Sequence, residues 1–301
     1  MLMKSRNKSV SHCILESLYH RVTLSFEDQR SYENQRRGFE GEQCFDHFMN
    51  HAKQRGLVIS DLFLSSQETN YQMDAVLILR NLVVIYEVKN FSGEYTYNKG
   101  MLFSKSGHSI QSPVGQVERK KSYLHNWLLR NGYPHAIESY VVFINPDFYI
   151  YNLPPTDSIL FIGQLERHFN ELARQISTVS TQDKKLAQTL VQHHNENYRP
   201  DNLPSYGFED LKKGVLCGKC FSFECENTRQ NRVCTACGHR EKIADAIYRS
   251  VLEFQLLFPE LPVTVQMIYE WCGGVYTKYR IKYILQANMT CNHKGPKSYY
   301  S

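Results

Sequence analysis

Apolar positions along this chain change spacing as it proceeds. They crowd or alternate, as in buried strands, over Leu57–Leu64, Met73–Leu79 and Val83–Asn90. They recur at helical spacing over Phe39–Arg55, from Ser112-Pro113 to Arg130, and over Asp183–Asn197. Gly56 is placed to stop the first of these helices. Ser112 is expected to cap the second, with Pro113 as its first helical residue. A hairpin is expected between Glu94–Tyr97 and Met101–Lys105, turning through Asn98-Lys99-Gly100. Further strands are expected at Tyr140–Asn145 and Ile159–Ile162. This alternation is that of a mixed α/β domain. Upstream, Ile14, Leu15, Leu18, Val22, Leu24 and Phe26 predict one or two helices. Four stretches follow: a helical extension (1–37), the α/β domain (38–200), a cysteine-rich segment (201–240) and a helical module (241–301). Pro200 and Pro204 mark one seam; Pro259 and Pro262 fall inside the last stretch.

Composition narrows the classes. The chain has 301 residues, 42% of them hydrophobic, enough to bury a core. No apolar run is long enough to span a bilayer, so no membrane partner is expected. The basic start is not followed by the apolar stretch of a secretory signal. A cytoplasmic location is therefore expected, where thiols stay reduced. Nine cysteines then call for an explanation other than disulfides, and an odd count could not pair completely. The net charge of +5 permits a nucleic-acid partner without requiring one.

The strands near residue 80 carry candidate chemistry. A turn at Arg80-Asn81 sets Asp74 opposite Glu87, with Lys89, Val76, Ile78, Val83 and Ile85 on the same face. Like charges opposed on an apolar face repel and are poorly solvated. A divalent cation shared between them removes both objections, and hard oxygen ligands suit Mg²⁺ or Mn²⁺. An ion pair of Glu87 with Lys89 at a sheet edge is the plainer alternative. On the first helix, Phe45, Met49 and Ala52 form a buried stripe that also carries Glu42, so a third carboxylate points at the sheet. Gly38 and Gly41 would let the helix start approach another backbone.

Gly38-Phe39-Glu40-Gly41-Glu42, Met73-Asp74 and Ile85-Tyr86-Glu87-Val88-Lys89 together resemble the nuclease-related domain, NERD, of the PD-(D/E)XK nuclease-like superfamily. Asn90-Phe91-Ser92-Gly93 looks like that family's strand exit, and Ser112-Pro113-Val114-Gly115-Gln116 like its Pro-x-x-Gln segment. The resemblance covers roughly residues 36–165, and Met73 stands where the superfamily name has proline. It implies a restriction-endonuclease-like mixed sheet flanked by helices, and metal-dependent phosphodiester hydrolysis. Asp74, Glu87 and the Val88 carbonyl would hold Mg²⁺ or Mn²⁺, with Glu42 binding it directly or through water. Lys89 would orient the attacking water and offset charge; Gln116 would position water or phosphate.

Cys217-x₂-Cys220 and Cys234-x₂-Cys237 have the spacing of a tetrahedral Zn²⁺ site built from two tight turns, and the segment resembles a zinc ribbon. Gly218 and Gly238 supply small residues for those turns. Cys225 and His239 are spare ligand types nearby, and Cys13, Cys44, Cys272 and Cys291 are expected to be unpaired. Six Lys/Arg and two Glu lie between Lys212 and Arg240; some of these bases compensate the thiolates, and the rest are available to phosphate, a purely structural zinc module being the alternative.

Toward the end, Thr264 can cap a helix burying Val265, Ile268 and Cys272, broken by Gly273-Gly274. Thr277 can cap another that buries Ile281, Ile284 and Leu285. This is a helix-turn-helix-like module. Lys278, Arg280 and Lys282, interleaved with Tyr276, Tyr279 and Tyr283, suit a phosphate backbone; an α-hairpin packed on the cysteine segment is the alternative. The whole chain reads as a metal-dependent nuclease, acting on nucleic acid and on DNA first of all. A non-catalytic nucleic-acid-binding or regulatory protein that retains the nuclease-like fold is the competing reading.

Overall fold

The computed structural model describes residues 1–52, 56–65, 70–175, 178–195, 203–292 and 298–301. In chain order the elements begin with strand β1 (Leu2–Lys4) and helices α1 (Val10–Arg21) and α2 (Phe26–Ala52). Strands β2 (Leu57–Ser65), β3 (Asn70–Leu79), β4 (Leu82–Lys89), β5 (Gly93–Asn98), β6 (Met101–Ser104) and β7 (Ser109–Gln111) come next. Helix α3 (Val114–Arg130), strands β8 (Ala136–Phe143), β9 (Phe148–Tyr151) and β10 (Ile159–Phe161), and helices α4 (Leu165–Gln175) and α5 (Thr181–Gln192) complete the α/β region. Strands β11 (Cys225–Asn227), β12 (Asn231–Cys234) and β13 (Arg240–Lys242) precede helices α6 (Ile243–Leu257), α7 (Val265–Trp271) and α8 (Lys278–Asn288), and the pair β14 (Cys291–Asn292) and β15 (Tyr299–Tyr300) ends the chain. By packing, Met1–Lys8 and Asn34–Tyr198 form one compact unit; Ser9–Glu33 and Arg199–Ser301 form a second. No described helix is long and apolar enough to cross a membrane.

The first unit is built on a mixed sheet of order β1-β2-β3-β4-β8-β10. β2, β3 and β4 are antiparallel neighbours, while β1, β8 and β10 join in parallel. Strand alternation sorts the side chains. Val76, Ile78, Val83 and Ile85 lie with Val117, Leu124 and Leu128 of α3 in one core. Ala75, Leu77, Val84, Tyr86 and Val88 lie with Phe45 and Met49 of α2 and Leu165 and Phe169 of α4 in the other. A sheet covered on both faces needs apolar residues at nearly every position, which is why β3 and β4 read as continuous apolar runs. A second, smaller sheet has the order β7-β6-β5-β9.

Three local expectations change. The first helix is longer than expected: α2 starts at Phe26 and runs through Gly38 and Gly41 without a break. Its propagation is already favoured once the preceding turns exist, so two glycines cost little more than local propensity. Ala52 closes it, with its side chain outside the described residues, as are Arg55 and Pro200. At α3 the N-cap position is Pro113, with no side-chain cap bond, and Ser112 instead uses its backbone N–H to reach the Gly100 carbonyl at 2.8 Å. α5 stops at Gln192 and is capped by Ser180, whose Oγ accepts from Asp183 N.

In the second unit, Ile14 and Leu18 of α1 share a core with Ile247, Val251 and Phe254 of α6, Ile268 and Trp271 of α7, and Ile281 and Leu285 of α8. Arg21 ties α1 into place. It donates to both Glu253 carboxylate oxygens (2.9 and 2.7 Å) and to the carbonyls of Lys212 and Gly214 (2.6 and 3.0 Å), and lies 3.9 Å from the Trp271 ring centroid. A buried guanidinium needs that many acceptors to offset its desolvation. Thr264 and Thr277 cap α7 and α8 through their hydroxyls, as their positions predict. Gly273 and Gly274 both have positive φ (69° and 70°) and turn the chain between those helices.

Candidate functional site

The β3–β4 hairpin sets the centre. Asn81 takes φ 57° in the turn, and Ala75↔Tyr86, Val76↔Ile85 and Leu79↔Leu82 pair across it. This is the register expected from the sequence. It brings Asp74 and Glu87 to the mouth-side end of the ladder, where the Asp74 side chain takes over a backbone role: Val88 N donates to Asp74 Oδ2 at 2.7 Å. Asp74 is thereby fixed beside the Val88 peptide.

Both carboxylates are buried, Glu87 to 1% exposure, and the Glu87–Lys89 ion pair forms on an interior strand rather than at a sheet edge. Glu87 accepts from Lys89 Nζ at 2.7 Å and from Lys120 Nζ, which also lies 3.9 Å from Asp74 Oδ1. Lys120 comes from α3, four residues after Gln116 and therefore on the same helical face. Glu42, on α2, meets Arg6: Nη1 donates to Glu42 Oε2 at 2.6 Å. Gly41 beside it packs against the β4 exit so closely that a Cβ would lie 2.6 Å from Asn90 Cβ. That is the close approach expected of the glycine pair; at Gly38 nothing lies within 4 Å.

Glu42, Asp74, Glu87, Val88, Lys89 and Gln116 all line one cleft of about 900 Å³. Arg37, Arg119, Lys120, Asn90 and Tyr95 line it too. Burial, then the nearby Asp74 charge, pushes Glu42 up to about 8 against the pull of Arg6. Burial and Asp74 likewise raise Glu87, with Lys120 and Lys89 opposing. Burial works against the Lys120 ammonium, but Asp74 and Glu87 outweigh it and hold the proton on. The three acids are desolvated and offer hard oxygen donors of the kind that suit a divalent cation, though Arg6, Lys89 and Lys120 already pair with them. Arg6 and Lys120 stand among the three acids, which do not close as a trio to 4.8 Å among the described residues.

The cysteine segment forms the one described group of three or more such ligands that does close: Sγ atoms of Cys217, Cys220, Cys234 and Cys237 all lie within 4.8 Å of one another. The arrangement is consistent with a zinc ribbon. Each pair sits on a turn closed by a backbone bond, Phe221 N to Cys217 O and Gly238 N to Cys234 O, and followed by a left-handed residue, Phe221 (φ 58°) and Gly238 (φ 71°). Gly238 serves as expected. In the first turn the left-handed residue is Phe221, and Gly218 serves by leaving room for Arg249 and Glu241. Burial opposes ionisation of Cys234, but backbone N–H groups of Cys237 and Ala236 and the Cys220 thiol bring it down to about 6. Burial pushes Cys225 up to about 11, and it and His239 stand outside the quartet. No cysteine is in a disulfide; Cys272 is buried and Cys44 exposed.

Several bases near the cysteines turn inward. Arg232 is buried and donates to Val215 O at 2.5 Å, and the half-buried Lys213 lies over the Phe208 ring, whereas Lys212 stays exposed over Phe223. The bases of α8 face outward: Lys278, Arg280 and Lys282 are exposed, as are Tyr279 and Tyr283, while Tyr276 is buried and donates to Asn227 Oδ1 at 3.1 Å.

Sequence reasoning missed Lys120, Arg6 and Asp46. Lys120 had a signal, its helical spacing from Gln116. Arg6 had none, because its partners are brought to it only by the folding of the sheet.

No curated protein sequence matches the chain. Among solved structures it is similar to protein VC1899 from Vibrio cholerae, at 10% identity over 55% of this chain and 50% of that one, with a TM-score of 0.28; the chain thus spans about half of that protein, at a likeness too low to carry an argument. The family whose model matches is the nuclease-related domain, over residues 37–144, a stretch that holds Glu42, Asp74, Glu87, Lys89, Gln116 and Lys120 and marks this part of the chain as nuclease-related.

Proposed function

We propose that the first unit is a metal-dependent nuclease that hydrolyses phosphodiester bonds of DNA. The observation that carries this is the convergence of Glu42, Asp74, Glu87, Lys89 and Gln116 from separate elements on one cleft, with two of the acids buried. Asp74, Glu87 and the Val88 carbonyl would hold Mg²⁺ or Mn²⁺, with Glu42 at their side. A cation bound there lowers the pKa of its water and stabilises charge on the phosphate. Lys89, 2.7 Å from Glu87, holds its ammonium at the cleft and orients the attacking water. Gln116 positions water or a phosphate oxygen. Arg37 and Arg119, which also line the cleft, would meet the phosphate backbone.

The cysteine quartet would take a structural Zn²⁺, since four sulfur ligands leave no open position for chemistry. Lys278, Arg280 and Lys282 on α8 would contact the DNA backbone. The four-stretch organisation stands as a proposal about function: the nuclease-like domain cuts, and the zinc and helical segments hold the nucleic acid.

Lys120 favours a second reading. Its ammonium already bridges Glu87 and Asp74, as it would in a non-catalytic protein that keeps the fold. One assay separates the two. Purified protein is incubated with plasmid, linear and single-stranded DNA and with RNA, in Mg²⁺ or Mn²⁺, beside Glu87→Ala and Lys89→Ala. Cleavage of DNA lost in both variants is expected. Cleavage that survives both would sink the site assignment, and salt-sensitive binding without cleavage would select the second reading.

A further inference from the structure

Arg6 lies outside the residues that match the nuclease-related domain, yet its side chain is 3% exposed and pairs with Glu42, which lines the cleft. Its guanidinium spends its donors on three partners. Nε and Nη2 fork onto Asp46 Oδ2 and Oδ1 at 2.9 and 3.0 Å, Nη1 reaches Glu42 Oε2 at 2.6 Å, and Nη2 also reaches the Asp74 carbonyl at 2.7 Å. Asp46 is itself held, accepting from Ser60 Oγ of β2 at 3.1 Å. One planar group therefore links α2, through Glu42 and Asp46 one turn apart, to the β3 backbone at Asp74. The segment carrying it is anchored by β1, where Leu2 pairs with Val58 in parallel.

We propose that Arg6 is a positioning residue for the cation site: it locks the Glu42 carboxylate and the Asp74 backbone at a set distance, so that the N-terminal strand completes a site otherwise made within the nuclease-related region. This rests on the metal-binding reading of the cleft. An arginine suits the task because its rigid fork satisfies two carboxylates and a carbonyl at once, which a lysine ammonium does not.

The sign of one measurement separates positioning from mere charge. Arg6 is a cation beside the acids, so its removal on Coulomb grounds alone would tighten binding of another cation. A positioning role predicts the reverse. Mn²⁺ binding to the full chain is followed by electron paramagnetic resonance of the free ion, for wild type, Arg6→Ala, Arg6→Lys and Asp46→Asn, with near-ultraviolet circular dichroism and thermal melting as checks on folding. Arg6→Ala is expected to bind about tenfold more weakly, in the range seen when groups supporting metal ligands are removed. Arg6→Lys keeps the charge and loses the fork, and Asp46→Asn loosens the fork's anchor; both are expected to weaken binding by less. Equal or tighter binding by Arg6→Ala overturns the proposal, as does wild-type affinity in Arg6→Lys. If Arg6→Ala fails to fold, the lysine and asparagine variants decide by the same criterion. Wild-type protein that binds no Mn²⁺ overturns the metal site itself and the positioning role with it. A wild type that binds Mn²⁺ without cutting DNA removes only the nuclease reading.

Discussion

The cysteine quartet and the carboxylate cleft are both gatherings of ligand-type side chains, but they are assembled in opposite ways. The quartet comes from two short turns, each closed by its own backbone bond, that lie close together in the sequence. The cleft draws Glu42, Asp74, Glu87 and Lys120 from separate places in the sequence, with Arg6 paired to Glu42, and ion pairs hold them against their own desolvation. A site made of local turns depends on its metal; a site made of long-range contacts depends on the fold around it. The difference also concerns charge. Backbone donors favour a thiolate at Cys234, whereas burial at the cleft disfavours the Glu42 and Glu87 carboxylates, with Arg6, Lys120 and Lys89 opposing it.

This contrast can be broken most directly by taking the quartet's metal away. Chelation of zinc, or Cys217→Ser, is expected to abolish hydrogen-exchange protection in β11–β13, while the apolar core of α6–α8 keeps its own. Protection retained throughout would show that the segment holds without metal. The next largest effect belongs to Lys120→Met, which leaves Glu87 buried with one cation fewer. A loss of about 3 kcal/mol in urea unfolding is expected, largely recovered in the double variant with Glu87→Gln. No recovery would mean that the lysine acts by packing alone.

Gly41→Ala tests the close approach of α2 to the β4 exit. The added methyl would meet Asn90 Cβ and Ile144, so a cost of about 1–3 kcal/mol is expected despite the better helix propensity of alanine. A variant at least as stable as wild type would show that the contact gives way easily. The smallest effect concerns acid. His168 bonds the Tyr86 hydroxyl behind the sheet, and burial lowers its pKa to about 4. The unfolded chain takes up that proton near its ordinary value of about 6.5 and the folded chain does not. The contribution is therefore fully present above about pH 6.5 and is lost as pH falls toward 4, by at most about 1.4 kcal/mol per pH unit. His168→Gln is expected to flatten that slope in unfolding measured from pH 7 to 5.

The parts of the site legible in the chain are those governed by local geometry. The hairpin register follows from a two-residue turn and the period of a strand, so residue order alone sets Asp74 and Glu87 next to the paired Ala75 and Tyr86. Two Cys-x₂-Cys pairs announce themselves by spacing. Thr264 and Thr277 cap their helices through bonds three residues long. Where local signals compete, they mislead. Ser112 has the character of a cap but lends its N–H to Gly100 instead, and the start of α2 is hidden by glycines that a helix already under way tolerates. The inward turn of Arg232 and Lys213 cannot be told from a basic surface, because composition does not say which bases find acceptors inside.

The strand and helix pattern, the facing acids, the cysteine quartet and the exposed bases of α8 are written in the order of residues, since each depends on groups within a turn or a hairpin of one another. Folding in three dimensions was needed to join α1 to the C-terminal core through Arg21, to stand Lys120 between Glu87 and Asp74, and to bring Arg6 to Glu42 and Asp74. Those contacts join residues far apart in the chain, and a buried charge finds its partner only after the apolar faces around it have packed.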